Sequence, residues 1–388
     1  MARRIATGID IGTHQTKVVV VEEVVTEEGP QVRIIATGLS ETQGLRHGYI
    51  VDLQDATESI LLAKRQAEGI IHMPIRSAFV AVGGVSLDET RASGQTIISR
   101  ADQEITELDV EKVREEARRA AEPQFLNRRV LHEIPLEFRV DGVKSLGAPL
   151  GMKGTRLEGE FLFVTCLAQH ADQLTAAVEA ADIEVVDRMA SPLAGSYVTL
   201  TKDQKMKGCV LANIGAETVS IVVYDEGLPI SVKVFQTGST NITDDLALGF
   251  KISLEDAERI KLGRLSGTMY PKKKVEEIIA QRFRTMFELI EKHLRSLNRH
   301  GSLPAGIILS GGGAGQGSVS DIAKGSLNLP SRIADMRISS DTKIRDATWA
   351  VAYGLALWGL TGDTDTPKKN VFGDVLRALE GFIKQFMP

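Results

Sequence analysis

Two short glycine turns, far apart in the sequence, are the features of this chain best suited to chemistry. Gly8-Ile9-Asp10-Ile11-Gly12-Thr13 leads into the apolar run Lys17-Val18-Val19-Val20-Val21. Leu211-Ala212-Asn213-Ile214-Gly215-Ala216-Glu217-Thr218 leads into Val219-Ser220-Ile221-Val222-Val223-Tyr224. Strand, tight glycine turn, strand reads as a β-hairpin. A turn that lacks a Cβ lets backbone N–H groups close on an anion, so each tip is a candidate phosphate cradle. Two such hairpins imply duplicated halves that hold one phosphate chain from opposite sides. Asp10 would meet a hydrated Mg²⁺, an ion that favours one carboxylate plus several waters. Thr13, Gln15 and Lys17 would add hydroxyl, amide and cationic contacts.

The two turns differ in charge. Asn213 stands where the first turn has Asp10; it can touch a metal-bound water but brings no charge. Glu217 beside a terminal phosphate is repulsive unless it points away or meets a cation. Nucleotide binding is therefore the expectation, with weak or absent hydrolysis and no residue assigned as catalytic. A third turn, Ser310-Gly311-Gly312-Gly313-Ala314-Gly315, follows a strand pattern at residues 305–309 and would leave room for a flat base. One glycine turn alone is most often only a tight turn; three in this order and spacing read as a phosphate clamp with a base site.

Around these turns the sequence must supply the elements that position them. The chain has 388 residues, more than one hydrophobic core usually supports, so two or more domains are expected. Apolar content of 43% and charged content of 25% are those of an ordinary globular protein. A net charge of -5 argues against nucleic acid as a partner. Cys166 and Cys209 lie in apolar runs with no metal-ligand spacing and read as buried thiols of a reducing compartment. No stretch reaches the length of a membrane span, and the start runs straight into a strand, so an intracellular chain without a leader is expected.

The pattern predicts strands at residues 5–10, 17–23 and 31–39, a helix at 53–68 and a strand at 77–82. From about residue 86 to 166 the character changes: strands at 90–99, 129–139 and 155–167 surround a charged helix at 108–121, an α+β insertion. A helix at 169–181 and a strand at 183–189 resume the α/β pattern. The second half adds a strand at 230–235, helices at 242–249 and 253–262, a long helix at 274–297 and a helix at 348–358. Ser253 with Asp256 gives a capping-box-like start to the second of these. The expected division is residues 1–85 and 167–207 as a first lobe, 86–166 as an inserted subdomain, and 208–360 as a second lobe. Residues 361–370 form a polar linker and 371–388 a terminal amphipathic helix.

That last segment has its own chemistry. Val371, Phe372, Val375, Leu376, Leu379, Phe382, Ile383, Phe386 and Met387 fall at helical spacing and make one apolar stripe, flanked by Lys368, Lys369, Arg377 and Lys384. A stripe of this kind usually packs on its own core. The polar linker before it, its terminal position and its basic flanks favour a membrane surface instead, with Phe372, Leu376, Leu379, Phe382, Ile383 and Phe386 as the buried face. At about 1.5 kcal/mol per large side chain, such a helix needs few additional contacts.

The order Asp10-Ile11-Gly12-Thr13, Asn213-Ile214-Gly215, Ser310-Gly311-Gly312-Gly313-Ala314 resembles the phosphate-one, phosphate-two and adenosine signatures of the actin-like ATPase superfamily. Within it the sequence is similar to the FtsA family of bacterial cell-division proteins. Gly44-Leu45-Arg46-His47-Gly48-Tyr49-Ile50-Val51-Asp52-Leu53 and Arg129-Val130-Leu131-His132-Glu133-Ile134-Pro135-Leu136-Glu137-Phe138 carry that likeness. The resemblance implies an α/β, two-lobed actin-like fold with duplicated halves, an inserted α+β subdomain, and ATP or ADP with Mg²⁺ between the lobes. By the same resemblance, Asp10, Gly12, Thr13, Gln15, Lys17, Asn213, Gly215, Ala216, Glu217, Thr218, Gly238, Gly311, Gly312 and Gly313 surround the nucleotide. Glu258 and Lys261 would sit near its ribose and base, and Asp10 and Asn213 would serve the metal.

Self-assembly into filaments is implied too, with other division proteins reached through the inserted subdomain. The tail would lie on the cytoplasmic face of the membrane at the division site. Lys292, Arg295 and Asn298 would contact the C-terminal peptide of the tubulin-like protein FtsZ. Two other readings stay open. The Gly-Ala-Glu of the second turn is also similar to PilM of type IV pilus machines, and a sugar-kinase-like phosphotransferase could use the same fold. The second needs a carboxylate base that the sequence does not supply.

Overall fold

The computed structural model describes residues 4–26, 29–264, 270–336 and 346–361. The expected linker, save Thr361, and the expected tail helix with its six lipid-facing residues lie outside the described residues. Two compact units divide the chain: Met1–Leu87 together with His170–Leu360, and Asp88–Gln169.

The first unit opens with β1 (Arg4–Ile11), β2 (Gln15–Thr26) and β3 (Gly29–Glu41), an antiparallel meander. The small hairpin β4 (Leu45–Arg46) and β5 (Tyr49–Ile50) follows, then α1 (Leu53–Ile71) and β6 (Ser77–Val82). Val18 to Val21 are all buried, which is why β2 reads as a continuous apolar run and not as an alternating one. Asp52 caps α1 by accepting from the Asp55 N–H at 3.0 Å.

The second unit is a sheet with one covering helix. It comprises β7 (Asp88–Ile97), α2 (Glu107–Ala121), β8 (Arg128–Val140), β9 (Val143–Lys144) and β10 (Arg156–Leu167), in strand order β7-β10-β8-β9. Val110, Val113 and Ala117 of α2 pack with Phe138, Phe161 and Phe163 in its own core. Gly94 lets the helix lie close: a Cβ there would stand 2.1 Å from the Val113 carbonyl oxygen.

The chain then returns to the first unit through α3 (Ala168–Ala180), β11 (Glu184–Ala190), α4 (Ser191–Thr199) and α5 (Lys202–Lys207). The second half repeats the first: β12 (Cys209–Ile214), β13 (Val219–Asp225) and β14 (Leu228–Phe235) form a meander. The remaining elements are α6 (Ser239–Phe250), α7 (Leu254–Lys261), α8 (Lys272–Ser296), β15 (Ile307–Ser310), α9 (Val319–Leu327), β16 (Ser331–Ile333) and α10 (Ala350–Thr361).

Strand order exposes the duplication. One sheet runs β3-β2-β1-β6-β11 and the other β14-β13-β12-β15-β16. In each, three antiparallel strands are followed by parallel pairing with the fourth and fifth. Phe283, Phe287, Ile290 and Leu294 of α8 fill the core of the second half. Among the described residues no helix is long and apolar enough to cross a membrane.

Close backbone approach fixes the helices on these sheets. A Cβ on Gly8 would lie 2.1 Å from the Ala352 carbonyl oxygen of α10, and one on Gly354 would lie 1.9 Å from that of Ala194 in α4. Helix propensity alone would reward Gly354→Ala by about 1 kcal/mol. The Ala194 contact reverses the sign, because the added methyl cannot fit without moving backbone. Gly354→Ala is expected to lower unfolding free energy by about 2 kcal/mol in a urea titration; a gain would contradict this packing.

Candidate functional site

Both predicted hairpins form, and they form in the same way. The Gly12 N–H donates to the Gln15 carbonyl at 3.1 Å, and the Gly215 N–H donates to the Thr218 carbonyl at 2.8 Å. Asp10 pairs with Lys17 across one ladder and Asn213 with Ser220 across the other. The hairpins therefore correspond position by position: Asp10 with Asn213, Thr13 with Ala216, His14 with Glu217, Gln15 with Thr218. A Cβ on either leading glycine would stand 3.1 Å from the carbonyl opposite, tighter than ordinary contact.

Beneath the first tip lies a charged pair. Burial holds the Asp10 carboxyl above the usual carboxylate range, against the opposing pull of Lys17. Lys17 is 9% exposed; burial lowers its pKa, while Asp10 and Asp346 act to raise it. Its Nζ sits 6.0 Å from the centre of the Trp349 ring. Two desolvated opposite charges, each shifted toward its neutral form, are incompletely compensated by each other. A carboxylate in that condition, beside a tip that lacks side-chain bulk, fits a hydrated divalent cation bridged to phosphate.

The third glycine turn rests against the second hairpin. Gly311 has φ 85°, and a Cβ there would lie 2.2 Å from Asn213 Oδ1 and 2.6 Å from the Ile214 carbonyl oxygen. Gly313 likewise abuts Ile214 Cγ2, which would be 2.4 Å from its Cβ. Only glycine fits at these two positions, whereas Gly312 faces open space. The sequence pattern predicts a strand-to-helix turn here; one turn of 3₁₀ helix, Gly312–Gly315, intervenes before α9. Gln316 Nε2 then donates to the Lys261 carbonyl at 3.3 Å, tying this turn to α7.

Glu258 and Lys261 form a connected cluster. Lys261 Nζ lies 2.6 Å from Glu258 Oε2 and donates to Thr243 Oγ1 at 2.8 Å and to the Ser239 carbonyl at 3.2 Å. The Thr243 hydroxyl donates to Glu258 at 2.5 Å. Burial pushes the Glu258 carboxyl up, but the bonds from Lys261 and Thr243 prevail and hold it below its ordinary value; His14 adds to this. The Ser253 hydroxyl accepts from the Asp256 N–H at 3.1 Å and donates to the Asp256 carboxylate at 3.0 Å. The expected capping box is thus half formed.

The first amides of α6 meet the second tip: the Ser239 N–H donates to the Gly215 carbonyl at 2.9 Å and Thr240 to Ala216 at 2.8 Å. Gly238 permits that approach, since a Cβ there would lie 2.3 Å from the Ala216 carbonyl oxygen.

Glu217, the residue expected to repel phosphate, points to the first half. Its carboxylate accepts from the His47 N–H and lies 3.5 Å from His47 Nδ1. His47 was missed as a site residue when read from sequence; the signal was the His-Gly pair between two short strand segments. Lys292, Arg295 and Asn298 lie together at the end of α8, all exposed. Arg295 is paired with Glu291 at 2.7 Å, and Asn298 follows the helix at φ 55°. Both cysteines are buried and neither forms a disulfide.

Residues 88–165 match the family described as "SHS2 domain inserted in FTSA", and residues 210–354 match "Cell division protein FtsA". The cell division protein FtsA of Borreliella burgdorferi is 30% identical over 384 residues, covering 92% of this chain and 91% of that one. A solved PilM–PilN type IV pilus biogenesis complex has a chain similar in fold, with TM-score 0.68, 18% identity and coverage of 92% and 98%. MreB5 of Spiroplasma citri bound to ADP gives TM-score 0.51 at 14% identity, covering 92% of this chain and 96% of that one. The chain belongs to the FtsA family of cell division proteins, and its fold is actin-like.

The charged pair yields a pH prediction. Asp10 has a folded pKa above its unfolded value of 3.8, so its ionisation weakens the fold at neutral pH. That cost fades as pH falls through the folded pKa toward about 4. The stability of Asp10→Asn relative to the parent is expected to be highest near pH 7 and to shrink on acidification, in paired urea titrations. A difference that grows with acid would contradict the assignment.

Proposed function

We propose that this FtsA-family chain binds ATP or ADP with Mg²⁺ between its two glycine-tipped hairpins, polymerises, and links FtsZ filaments to the cytoplasmic face of the membrane at the division site. The observation that carries the nucleotide part is the matched register of the two hairpins, with a desolvated, incompletely compensated Asp10 beneath one of them. Backbone amides at Gly12-Thr13 and Gly215-Ala216 would take phosphate oxygens, with Gln15, Thr218 and Gly238 shaping the tips. Asp10 would hold the Mg²⁺ through one carboxylate, with Asn213 reaching it only through water. Lys17 would balance charge below. The Gly311–Gly313 backbone would seat the base, and the Glu258–Lys261 pair the ribose. The ADP named with a fold neighbour, MreB5 of Spiroplasma citri, supports a nucleotide as the ligand. When bound, Mg²⁺ would supply charge neutralisation on the phosphates.

The partner half of the reading rests on family membership and on the sequence. The C-terminal end of α8 would receive an acidic peptide through Lys292, Arg295 and Asn298, and the inserted unit would meet other division proteins. The terminal stripe would bind lipid as a peripheral helix, residues 361–370 serving as its tether. A pilus-type scaffold is the second reading, supported by the Gly215-Ala216-Glu217 turn and the fold likeness to the PilM chain. Binding of an FtsZ-tail peptide against a pilus membrane-protein peptide decides between them.

Asp10→Ala is expected to weaken Mg-ADP binding about 100-fold in a calorimetric titration; undiminished binding would remove Asp10 from the metal site. In cosedimentation, the full chain is expected to pellet with anionic liposomes and a chain ending at Gly362 to stay in solution. Equal pelleting would overturn the tether.

A further inference from the structure

The contact between Glu217 and His47 joins the second half of the chain to the first, and its construction is specific. Leu45 pairs with Ile50 and Arg46 with Tyr49, so His47 and Gly48 form a two-residue hairpin turn. Both have positive φ, 51° and 82°, as the type I′ turn of such hairpins requires. In that turn the His47 N–H is not part of the short ladder, and it donates to the Glu217 carboxylate. The hairpin cannot retreat easily. A Cβ on Gly48 would lie 2.4 Å from the Gly84 Cα, so backbone lies on backbone, and the Val85 N–H donates to the His47 carbonyl at 3.4 Å. The other end of the contact is equally fixed, since α6 holds the carbonyls of the second tip.

Glu217 occupies the tip position that His14 occupies in the first hairpin. His14 in turn lies within electrostatic range of Glu258 on the second half. The contact from the second tip is made by a carboxylate, that of Glu217, set beside Gly215 and Ala216.

We infer that Glu217 sets the preference between nucleoside triphosphate and diphosphate: its carboxylate clamps the His47 turn, and a terminal phosphate at the second tip must displace it. This rests on the reading that the nucleotide phosphates lie between the two hairpin tips. A diphosphate leaves the clamp closed. A triphosphate brings negative charge against Glu217, whose carboxylate swings away and releases the His47 N–H. The second half then loses its tie to the first-half hairpin, so the state of the nucleotide is read out as a change in contact between halves.

The test compares the parent chain with Glu217→Gln, which keeps an oxygen to accept from His47 but removes the charge. Titration with Mg-ADP and with a non-hydrolysable Mg-ATP analogue gives the ratio of affinities. The substitution is expected to shift that ratio about tenfold toward the triphosphate, the effect of one opposing charge a few ångströms away. Amide hydrogen exchange supplies a second readout: in the parent, the His47 amide is protected without nucleotide and with ADP, and exchanges faster with the analogue. An unchanged ratio with unchanged His47 exchange overturns the inference while the nucleotide site stands. If neither chain binds either nucleotide, the phosphate reading itself fails and the inference falls with it.

Discussion

One hydrogen bond, made twice, sets the geometry of the candidate site. The glycine N–H that opens each hairpin tip donates to the carbonyl that closes it, in Gly12–Gln15 and again in Gly215–Thr218. That bond fixes a two-residue tip, and the tip fixes the register of the meander behind it. Given that register, Asp10 and Asn213 come to equivalent places, the parallel strands β6 and β15 join on the same side, and helices pack on both sheets. The glycines that admit those helices, Gly8 and Gly354 among them, fit no side chain because backbone already fills the space.

The halves share a backbone plan but differ in electrostatics. The first tip stands over a half-buried carboxylate and a buried ammonium, in which neither partner fully offsets the other's desolvation. At the second tip, Asn213 and Ser220 replace that pair, and the one charge, Glu217, is turned toward His47. A duplicated fold can diverge this way because the hairpin geometry rests on main-chain bonds, leaving side chains at Asp10, Asn213, His14 and Glu217 free to specialise.

Much of this was legible in the residues. The apolar run Val18–Val21 and the glycine turns gave the hairpins, and the long helix expected at 274–297 forms with Phe283, Phe287, Ile290 and Leu294 at helical spacing in its core. Helix α4, Ser191–Thr199, was not predicted, since nearly every residue in it is buried and it has no polar face to set a period. Helix α5 is a single short segment, and α9 carries Gly325, a poor helix former, in its interior. Single-sequence reasoning is weakest for contacts between distant residues. Glu217 and His47 are 170 positions apart, and only the three-dimensional arrangement brings them together. The same is true of Thr243 and Ser239, which complete the Lys261 cluster.

The central claim, one phosphate chain held by two equivalent tips, is tested most directly by a crystal structure with Mg²⁺ and a non-hydrolysable ATP analogue. The account predicts phosphate oxygens within hydrogen-bond distance of main-chain N–H groups at both Gly12-Thr13 and Gly215-Ala216, with the cation on the Asp10 side. Phosphates held by a single hairpin, or seated away from both, would contradict it.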